Sequence, residues 1–300
     1  MVSIIITTCR RSPEIVERAI RSVIEQTSSD WELLVVDDSP ETYNNRNAVR
    51  QMISRYAANH PITYVANESN SGACYSRNRG LSMAKGEYVA FLDDDDEWLP
   101  EKLAHQVAVL DQSPENVALV YCHNYRVTEG KTDRTLITRP QKQGDLYTTL
   151  LRYGNYVGGM SIPLIRTACV RQAGEFDPLM QSAQDIDLWL RLSKNYKFVL
   201  LDEPLVINYW YEGDRTSGNP AKRIAGIERL ILKNSDFLDR HRFLKWKKTI
   251  TLCPNYVLLG ERDKAFRTWV RAIKLCPVCV VRNTRELLRI INCKKGRGLV

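Results

Sequence analysis

The feature that most constrains the fold is an apolar strand that ends in four consecutive aspartates. Within Gly86–Pro100 (GEYVAFLDDDDEWLP), the run Tyr88–Leu92 is followed directly by Asp93–Asp96. A short, continuous apolar run predicts a strand buried on both faces, in the middle of a sheet covered by helices. In open α/β sheets, ligands bind beyond the carboxyl ends of such strands. The stretch therefore predicts a central strand with a polar site at its end.

Four adjacent carboxylates also limit what that site can hold. They repel one another, so ending a buried strand in them costs stability unless a cation lies there. Oxygen-only ligands suit a hard divalent ion, Mg²⁺ or Mn²⁺, which shares its coordination shell with substrate phosphates and water. The alternative is a solvated acidic loop that caps a helix beginning near Pro100, but capping needs only one of the four carboxylates. We therefore expect a divalent cation at Asp93–Asp96.

The first hundred residues alternate between strand and helix patterns. β-Branched and apolar runs predict strands at Val2–Thr7, Trp31–Val36 and Ile62–Ala66. Apolar residues at helical spacing predict helices over about 13–27, 41–58 and 74–84. Strands that alternate with helices imply a parallel sheet with right-handed crossovers. The predicted fold class is α/β, a Rossmann-like and mostly parallel sheet flanked by helices.

The following residues predict a second group of elements. Strands are expected at Leu119–His123 and over Tyr196–Val206, with a polar loop across 128–143 and a glycine-rich, then apolar, stretch across 154–165. A helix is expected to begin at Asp185 and Asp187, because the positive end of the helix dipole favours carboxylates. That arrangement alone is also consistent with simple helix capping, and we interpret Asp187 as a helix-end residue and not as a catalyst.

Charge divides the chain near residue 220. Residues 221–300 contain 20 Lys and Arg against 6 Asp and Glu, whereas residues 1–220 contain 23 against 29. The basic residues lie among apolar ones at helical spacing, and no nucleic-acid-binding motif accompanies them. We therefore expect an all-helical C-terminal extension over 221–300, containing one tetratricopeptide-like hairpin at 256–277. Its expected partner is an anionic membrane surface or a lipid-linked substrate, not nucleic acid.

Cysteines and targeting patterns point to a cytoplasmic protein. Eight cysteines are scattered along the chain, which opens without a secretory pattern and has no apolar run long enough to span a membrane. One C-x-x-C pair, Cys276 and Cys279, lacks a second closely spaced pair and is therefore weak support for zinc. Reduced core thiols are the better interpretation. Contact with the inner face of a membrane through the basic tail remains compatible with this setting.

A dinucleotide site of the Rossmann type is disfavoured. Asp37 and Asp38 follow the second strand, where an acidic residue would hold a ribose, but such a site requires a glycine-rich first turn. The first turn here is TTCRRSP and contains no glycine. A nucleotide held by side chains, with a metal ion on its diphosphate, fits these residues better.

Three motifs in order resemble those of a known family. SIIITTCRR at 3–11, ELLVVDDSP at 32–40 and SGACYSRNRGLSMAKGEYVAFLDDDDEWLP at 71–100 are similar to family 2 glycosyltransferases of the GT-A fold type. The resemblance extends from residue 2 to about 215, and it implies that the glycine-rich stretch at 154–165 is the acceptor-side strand. It implies a catalytic domain over 1–220, with a nucleotide-binding half at about 1–98 and an acceptor-binding half at about 99–220.

The resemblance also implies roles for individual residues. The nucleotide-binding set matches Thr7, Asp37, Asp38, Arg77, Asp93 and Asp94. The Asp-x-Asp motif that meets the ribose and the metal matches Asp93 and Asp95. Asp185 matches the catalytic base in the family's Glu-Asp-x-x-x-x-x-Arg pattern, although Gln184 replaces the glutamate. Trp210 and Arg215 fall in a loop that closes over the donor in relatives.

The implied reaction is transfer of a sugar from a nucleotide-diphosphate donor, with UDP-sugar preferred, to a hydroxyl of a glycan or lipid-linked acceptor. One base without a nucleophile partner implies a single displacement with inversion. The implied setting is bacterial surface polysaccharide synthesis. Two alternatives remain: a nucleotidyltransferase, whose usual glycine-rich first loop is missing, and a non-catalytic nucleotide- or glycan-binding scaffold.

Overall fold

The computed structural model describes residues 1–130, 133–142, 144–210 and 218–279. Contacts divide the chain into two compact units. The larger unit comprises Met1–Pro178 and Asp185–Glu212, and the smaller one comprises Leu179–Gln184 and Gly213–Val300. The larger unit contains the whole sheet, so the polar strand ends identified in the sequence all belong to it.

Four parallel strands form one half of the sheet, in the order β3-β2-β1-β4. They are β1 (Val2–Thr8), β2 (Trp31–Asp37), β3 (Ile62–Ala66) and β4 (Tyr88–Asp93). The apolar side chains of β1, β2 and β4 are buried, as expected for strands covered on both faces. Each predicted strand is present, and only the carboxyl ends of β1, β2 and β4 extend one residue further than predicted.

Three helices connect these strands: α1 (Pro13–Ile24), α2 (Arg46–Ala57) and α3 (Ala73–Met83). Pro13 occupies the first turn of α1, where its fixed φ suits the helix and its missing N–H costs no hydrogen bond. The prediction that α2 begins near residue 41 was wrong. Residues 41–45 form turns instead, and the Tyr43 N–H donates to the Pro40 carbonyl at 2.9 Å.

The other half of the sheet is mixed, and its order continues β4-β8-β6-β9-β5. Its strands are β5 (Glu97–Trp98), β6 (Val117–Thr128), β7 (Arg134–Ile137), β8 (Leu164–Arg166) and β9 (Lys197–Trp210). Its helices are α4 (Lys102–Asp111), α5 (Leu146–Tyr153), α6 (Thr167–Gln172) and α7 (Gln184–Leu192). The α/β prediction is confirmed, with a sheet flanked by helices.

Two details of this half differ from the sequence prediction. The loop expected across 128–143 contains β7, which pairs with an unexpectedly long β6. The glycine-rich stretch at 154–165 is mostly not a strand. Gly154 and Gly158 have positive φ values of 86° and 106°, which turn the backbone away from an extended path, so that β8 begins only at Leu164.

The smaller unit is helical, which confirms the prediction of a helical C-terminal region. Its helices are α8 (Pro220–Lys233), α9 (Ser235–Arg240), α10 (Arg242–Ile250), α11 (Leu252–Leu258) and α12 (Arg262–Leu275). α11 and α12 form a hairpin that turns at Gly260, where φ is +78°. Residues 280–300 of the predicted helical extension lie outside the described residues. Among the helices that the structure describes, none combines the length and apolarity that a bilayer crossing demands.

A fully buried lysine gives the larger unit a distinctive pH dependence. The Lys102 ammonium donates to Gln106 Oε1 at 2.6 Å and lies 4.1 Å from the centre of the Trp98 ring. Burial lowers the pKa of Lys102 from 10.5 to about 8. The unfolded chain therefore binds more protons than the folded protein between pH 8 and pH 10.5, so this group adds stability as the pH rises through that window.

We expect Lys102→Met to remove this contribution. The unfolding free energy of wild type minus that of the variant should increase by up to about 3 kcal/mol between pH 7 and pH 10. Urea unfolding at several pH values measures it, and Lys85→Met at an exposed position is the matched control. A difference that does not change with pH would show that Lys102 titrates normally.

Candidate active site

The predicted site lies where the parallel strands end. In the sheet register, Thr7 pairs with Asp93 and Thr8 pairs with Asp37. The carboxyl ends of β1, β2 and β4 are therefore at one edge of the sheet. Thr7 itself is half-buried at this edge. The fold thus brings Thr7, Asp37 and Asp93 together, as the strand pattern predicted.

Asp37 and Asp38 are buried and already accept several hydrogen bonds. Asp38 Oδ1 accepts from the Ser71 N–H and from Asn67 Nδ2, at 2.8 and 2.7 Å, and its Oδ2 accepts from the Gly72 N–H at 2.8 Å. Asp37 accepts from the Tyr64 hydroxyl and the Ser39 N–H, each at 2.8 Å. Both carboxylates therefore hold the loops around the edge in place, whatever ligand they contact.

Asp93 forms an ion pair with Arg77 of α3. The Arg77 guanidinium donates to Asp93 Oδ1 at 3.0 Å and lies 5.6 Å from the centre of the Phe176 ring. Arg77 is buried, whereas the Asp93 side chain keeps 38% of its surface exposed. Among Asp93, Asp94 and Asp95, which all form ion pairs with arginines, Asp93 therefore has the carboxylate that is most open to a ligand.

Asp94 and Asp95 share one cation that the sequence motifs did not indicate. Arg11, in the turn after β1, donates through Nε to Asp94 Oδ1 at 3.1 Å and through Nη2 to Asp95 Oδ2 at 2.7 Å. Asp94 is buried, and burial raises its pKa to about 6. The charge of Arg11 opposes this rise and the charge of Asp95 adds to it. Arg11 thus neutralises part of the acidic run.

The side chain of Asp96 lies in a different environment from the other three aspartates. Its Oδ2 accepts from the Ser161 hydroxyl and from Asn208 Nδ2, each at 2.5 Å, and burial raises its pKa well above the ordinary value. Asn208 in turn accepts from Asn124 Nδ2 at 2.7 Å, and Asn124 Oδ1 accepts from Arg139. This buried network fixes β6 and β9 beside the acidic run, and it gives Asp96 a structural role that the sequence could not separate from that of Asp94.

Asp185 lies in the first turn of α7 and accepts two hydrogen bonds. Its Oδ2 accepts from Asn155 Nδ2 at 2.7 Å and its Oδ1 accepts from the Ile186 N–H at 2.7 Å. Burial raises the pKa of Asp185, the positive charge of Arg77 lowers it, and the negative charge of Asp93 raises it again. Charge effects weaken with distance, so these two are consistent with Asp185 lying near Arg77 and Asp93.

Asp187, two residues further along α7, has a different role. It is 2% exposed and forms an ion pair with Arg191 at 3.0 Å, one helical turn away. Arg191 also donates to the carbonyls of Ala173 and Glu175. The pair anchors the loop before α7, which agrees with the interpretation of Asp187 as a helix-end residue.

Of the two residues predicted to lie in a loop over the donor, the structure describes Trp210 but not Arg215. Trp210 ends β9 with 41% of its surface exposed, and the Arg126 guanidinium lies 4.7 Å from the centre of its ring. It is thus stacked on a neighbouring strand of the same sheet, β6. Arg215 lies outside the described residues, so its predicted contact with the donor stays a prediction.

The carboxylate oxygens at this edge suit a hard divalent cation. Within the described residues, no group of three or more His, Cys, Asp or Glu side chains is arranged to hold a metal ion by itself. An ion that takes most of its ligands from substrate phosphates and water needs only one or two carboxylates. Burial is the main cause of the raised pKa values of Asp94 and Asp96, and the negative charges of Asp93 and Asp95 add to both rises. Asp93 and Asp95 therefore fit the predicted role.

Comparison with known proteins agrees with this architecture. The sheet and its helices have the fold of GT-A glycosyltransferases. Staphylococcus aureus TarS 1–349, solved in complex with UDP-GlcNAc, superposes with a TM-score of 0.66 at 19% identity, over 91% of this chain and 81% of that one. The mannosyltransferase PcManGT from Pyrobaculum calidifontis, in complex with GDP-Man and Mn²⁺, superposes with a TM-score of 0.57 at 18% identity, over 96% and 79%. The chain spans 43% of the longer TarS structure.

The sequence comparisons place the protein within that class. The model of glycosyl transferase family 2 matches residues 3–165. The Escherichia coli protein WfgD, a UDP-Glc:alpha-D-GlcNAc-diphosphoundecaprenol beta-1,3-glucosyltransferase, is 30% identical over 84% of this chain and 90% of its own length. The chain therefore belongs to glycosyl transferase family 2, and the predicted enzyme class, glycosyltransferase, is confirmed.

Two polar residues of the site were missed from the sequence. Arg11 is one of two adjacent arginines in a turn, and only the structure shows that it reaches the acidic run while the Arg10 N–H donates to Ser39 Oγ. Asn155 lies 30 residues before Asp185 in a glycine-rich stretch. The glycines drew attention to this stretch, but nothing in it indicates a hydrogen bond to the predicted base.

Proposed function

We propose that the protein transfers a sugar from a UDP-sugar to a hydroxyl of a glycan or lipid-linked acceptor, with inversion at the anomeric carbon. The observation that supports the proposal is the Arg77–Asp93 ion pair at the carboxyl end of β4, whose two charges both act on the pKa of Asp185. A cation-binding carboxylate, a fixed guanidinium and a carboxylate with a raised pKa are the groups that such a transfer needs.

The donor half of the proposal assigns the nucleotide to the strand ends. Thr7, Asp37 and Asp38 would line the nucleoside pocket. The hydrogen bonds of Asp38 to residues 67–72 would hold the neighbouring loop in place. Arg77 and Asp93 would face the ribose and diphosphate. Mg²⁺ or Mn²⁺, held by Asp95 and Asp93, would supply Lewis-acid neutralisation of the charge that develops on the departing diphosphate.

The acceptor half of the proposal assigns the base to Asp185. Its raised pKa makes it a stronger base than an ordinary aspartate, yet Asn155 and the Ile186 N–H keep its charged form stabilised. Asp185 takes the proton of the attacking hydroxyl as that oxygen approaches the anomeric carbon. A single base with no nucleophile beside it leads to one displacement and hence to inversion.

The relatives support the choice of substrates by analogy. The name of WfgD specifies UDP-Glc as donor and a diphosphoundecaprenol-linked sugar as acceptor. The TarS fragment was solved with UDP-GlcNAc. PcManGT was solved with GDP-Man and Mn²⁺. We favour UDP over GDP on the basis of WfgD, the relative that shares more sequence with this chain. A cytoplasmic role in the synthesis of a bacterial surface polysaccharide follows from the same analogy.

The first experiment is calorimetric titration of UDP, GDP, dTDP and CDP, each with Mn²⁺ and with EDTA. We expect tight binding of UDP that requires Mn²⁺ and weak binding of the others. Incubation with UDP-sugars and a lipid-linked acceptor should then release UDP. Release of pyrophosphate from a nucleoside triphosphate would favour the nucleotidyltransferase alternative, and nucleotide binding without turnover would favour the scaffold.

Asn155→Ala gives a test of how the base is held. Because the Asn155 amide donates to Asp185 Oδ2, its removal should raise the pKa of Asp185 further. We expect the acidic limb of kcat/KM to move to higher pH by up to about one unit, with little change in donor affinity. A pH–rate profile measures the shift. If activity fell at every pH and the acidic limb of the kcat/KM profile did not move, Asn155 would only support the turn at Gly158.

A further inference from the structure

The last helix of the smaller unit has an unusual distribution of apolar side chains. On α12, the two buried residues are Ala265 and Ala272, at 3% and 0% exposure, while Phe266 is 57% exposed. Burying a phenylalanine releases far more free energy than burying an alanine. The Phe266 ring stacks on Trp269 from outside, with ring centres 5.8 Å apart. The larger apolar group therefore faces outward, where it can meet a second surface.

Exposed basic side chains lie on the same helix as this aromatic ring. Arg267, Arg271 and Lys274 are exposed and recur at helical spacing on α12, opposite the two buried alanines. Together α10 and α12 carry nine Lys and Arg residues and a single acidic one, Asp263. Lys245 and Lys264 form ion pairs with Asp239 and Glu261, but the cations still outnumber the carboxylates, and an anionic partner would reduce their mutual repulsion.

A second aromatic residue lies beside the same helix. Arg242, at the start of α10, donates to the carbonyl of Lys274 at 2.8 Å and so joins the start of α10 to the end of α12. The next residue, Phe243, is 42% exposed. We call these side chains the basic-aromatic face; its members are Arg242, Phe243, Phe266, Arg267, Arg271 and Lys274.

We propose that the basic-aromatic face binds the surface of an anionic phospholipid membrane. Aromatic rings among Lys and Arg on an amphipathic helix are typical of segments that lie in the interface, with rings among the acyl chains and cations at the phosphates. A duplex nucleic acid presents mainly its phosphate backbone, which rewards charge alone, so apolar rings flanking the cations would gain little there; single-stranded RNA is included in the test below. The proposal names the lipid surface on which the lipid-linked acceptor of the proposed function would be met, and it rests on that function only in this respect.

Vesicle co-sedimentation of the full-length protein tests the proposal. We expect binding to vesicles of phosphatidylcholine mixed with phosphatidylglycerol, and none to phosphatidylcholine alone. The variant Arg267→Gln/Arg271→Gln should bind the anionic vesicles about 30-fold more weakly, because each charge near an anionic surface contributes about fivefold. Phe266→Ser should weaken binding by roughly tenfold. This loss should depend less on the salt concentration than the loss caused by the charge variant.

Matched controls lie on the larger unit. Arg50→Gln/Arg55→Gln removes the same charge from exposed positions of α2, and Leu136→Ser removes an apolar side chain that is 48% exposed. Neither control should change vesicle binding. Equal binding to neutral and anionic vesicles, or loss with the controls as large as with the face variants, would overturn the proposal, as would binding to single-stranded RNA without binding to vesicles. Release of UDP with a water-soluble acceptor is measured separately, so failure of membrane binding is distinguishable from failure of the proposed transfer.

Discussion

Asp185→Asn should lower kcat by roughly 10³-fold while leaving the affinity for the nucleotide donor almost unchanged. A general base contributes about 10²–10⁴ to a rate, and the amide that replaces the carboxylate cannot accept the proton of the acceptor hydroxyl. The substitution preserves the size of the side chain, and the oxygen that remains can keep the hydrogen bond from the Ile186 N–H, while the new NH2 group takes the place of the oxygen that accepts from Asn155. Turnover of UDP-sugar with acceptor gives kcat, and calorimetry with UDP and Mn²⁺ gives donor affinity.

Asp187→Asn is the informative control for this variant. It lies two residues away on α7, and its ion pair with Arg191 is structural. Breaking that buried pair should lower stability by about 3 kcal/mol without changing the pH dependence of the active fraction. Near-normal turnover in Asp185→Asn together with normal donor binding would remove Asp185 from the mechanism and leave the base unassigned.

The sheet was predictable because its strands are strongly apolar. Val2–Thr8 and Tyr88–Asp93 have buried side chains at nearly every position, so the local pattern and the tertiary environment agree. The same criterion missed the end of β6, where Asn124 is 3% exposed but polar. Asn124 is buried because Asn208 and Arg139 satisfy its amide, and such partners are distant in sequence. Strands that bury polar networks therefore escape a pattern based on apolar residues.

The site was predictable to the extent that strand ends define it. Parallel strands end at one edge, so Thr7, Asp37 and Asp93 had to meet once the strands were assigned. The arginine that pairs with Asp94 and Asp95 could not be assigned in this way. Arg10 and Arg11 are adjacent and chemically identical, and the choice between them depends on the positive φ of 54° at Arg10. That conformation is a property of the folded turn, not of the local sequence.

The position of Arg11 leads to a prediction about metal binding. Because its guanidinium occupies Asp95 Oδ2 at 2.7 Å, a divalent ion must share or displace that contact to reach the carboxylate. Arg11→Gln should therefore bind Mn²⁺ in the absence of nucleotide roughly fivefold more tightly than wild type, since a half-exposed ion pair is worth about 1 kcal/mol. Electron paramagnetic resonance of free Mn²⁺ measures this affinity without turnover. Unchanged or weaker Mn²⁺ binding in Arg11→Gln would show that the pair does not compete with the ion.

Asp95→Asn should have the opposite and larger effect. The amide keeps the size of the side chain but loses the charge, so we expect Mn²⁺-dependent binding of UDP to weaken by roughly 100-fold, about 3 kcal/mol. The residual binding seen with EDTA should be unchanged, because the nucleoside contacts proposed for Asp37 and Asp38 lie on another strand. The variant should fold normally, since it removes one of four neighbouring negative charges from an edge where burial already raises the pKa of Asp94 to about 6. Calorimetry with and without Mn²⁺ separates the two contributions. If Asp95→Asn weakened binding equally in both conditions, Asp95 would contact the nucleotide directly, and the metal would have to be assigned to Asp93 alone.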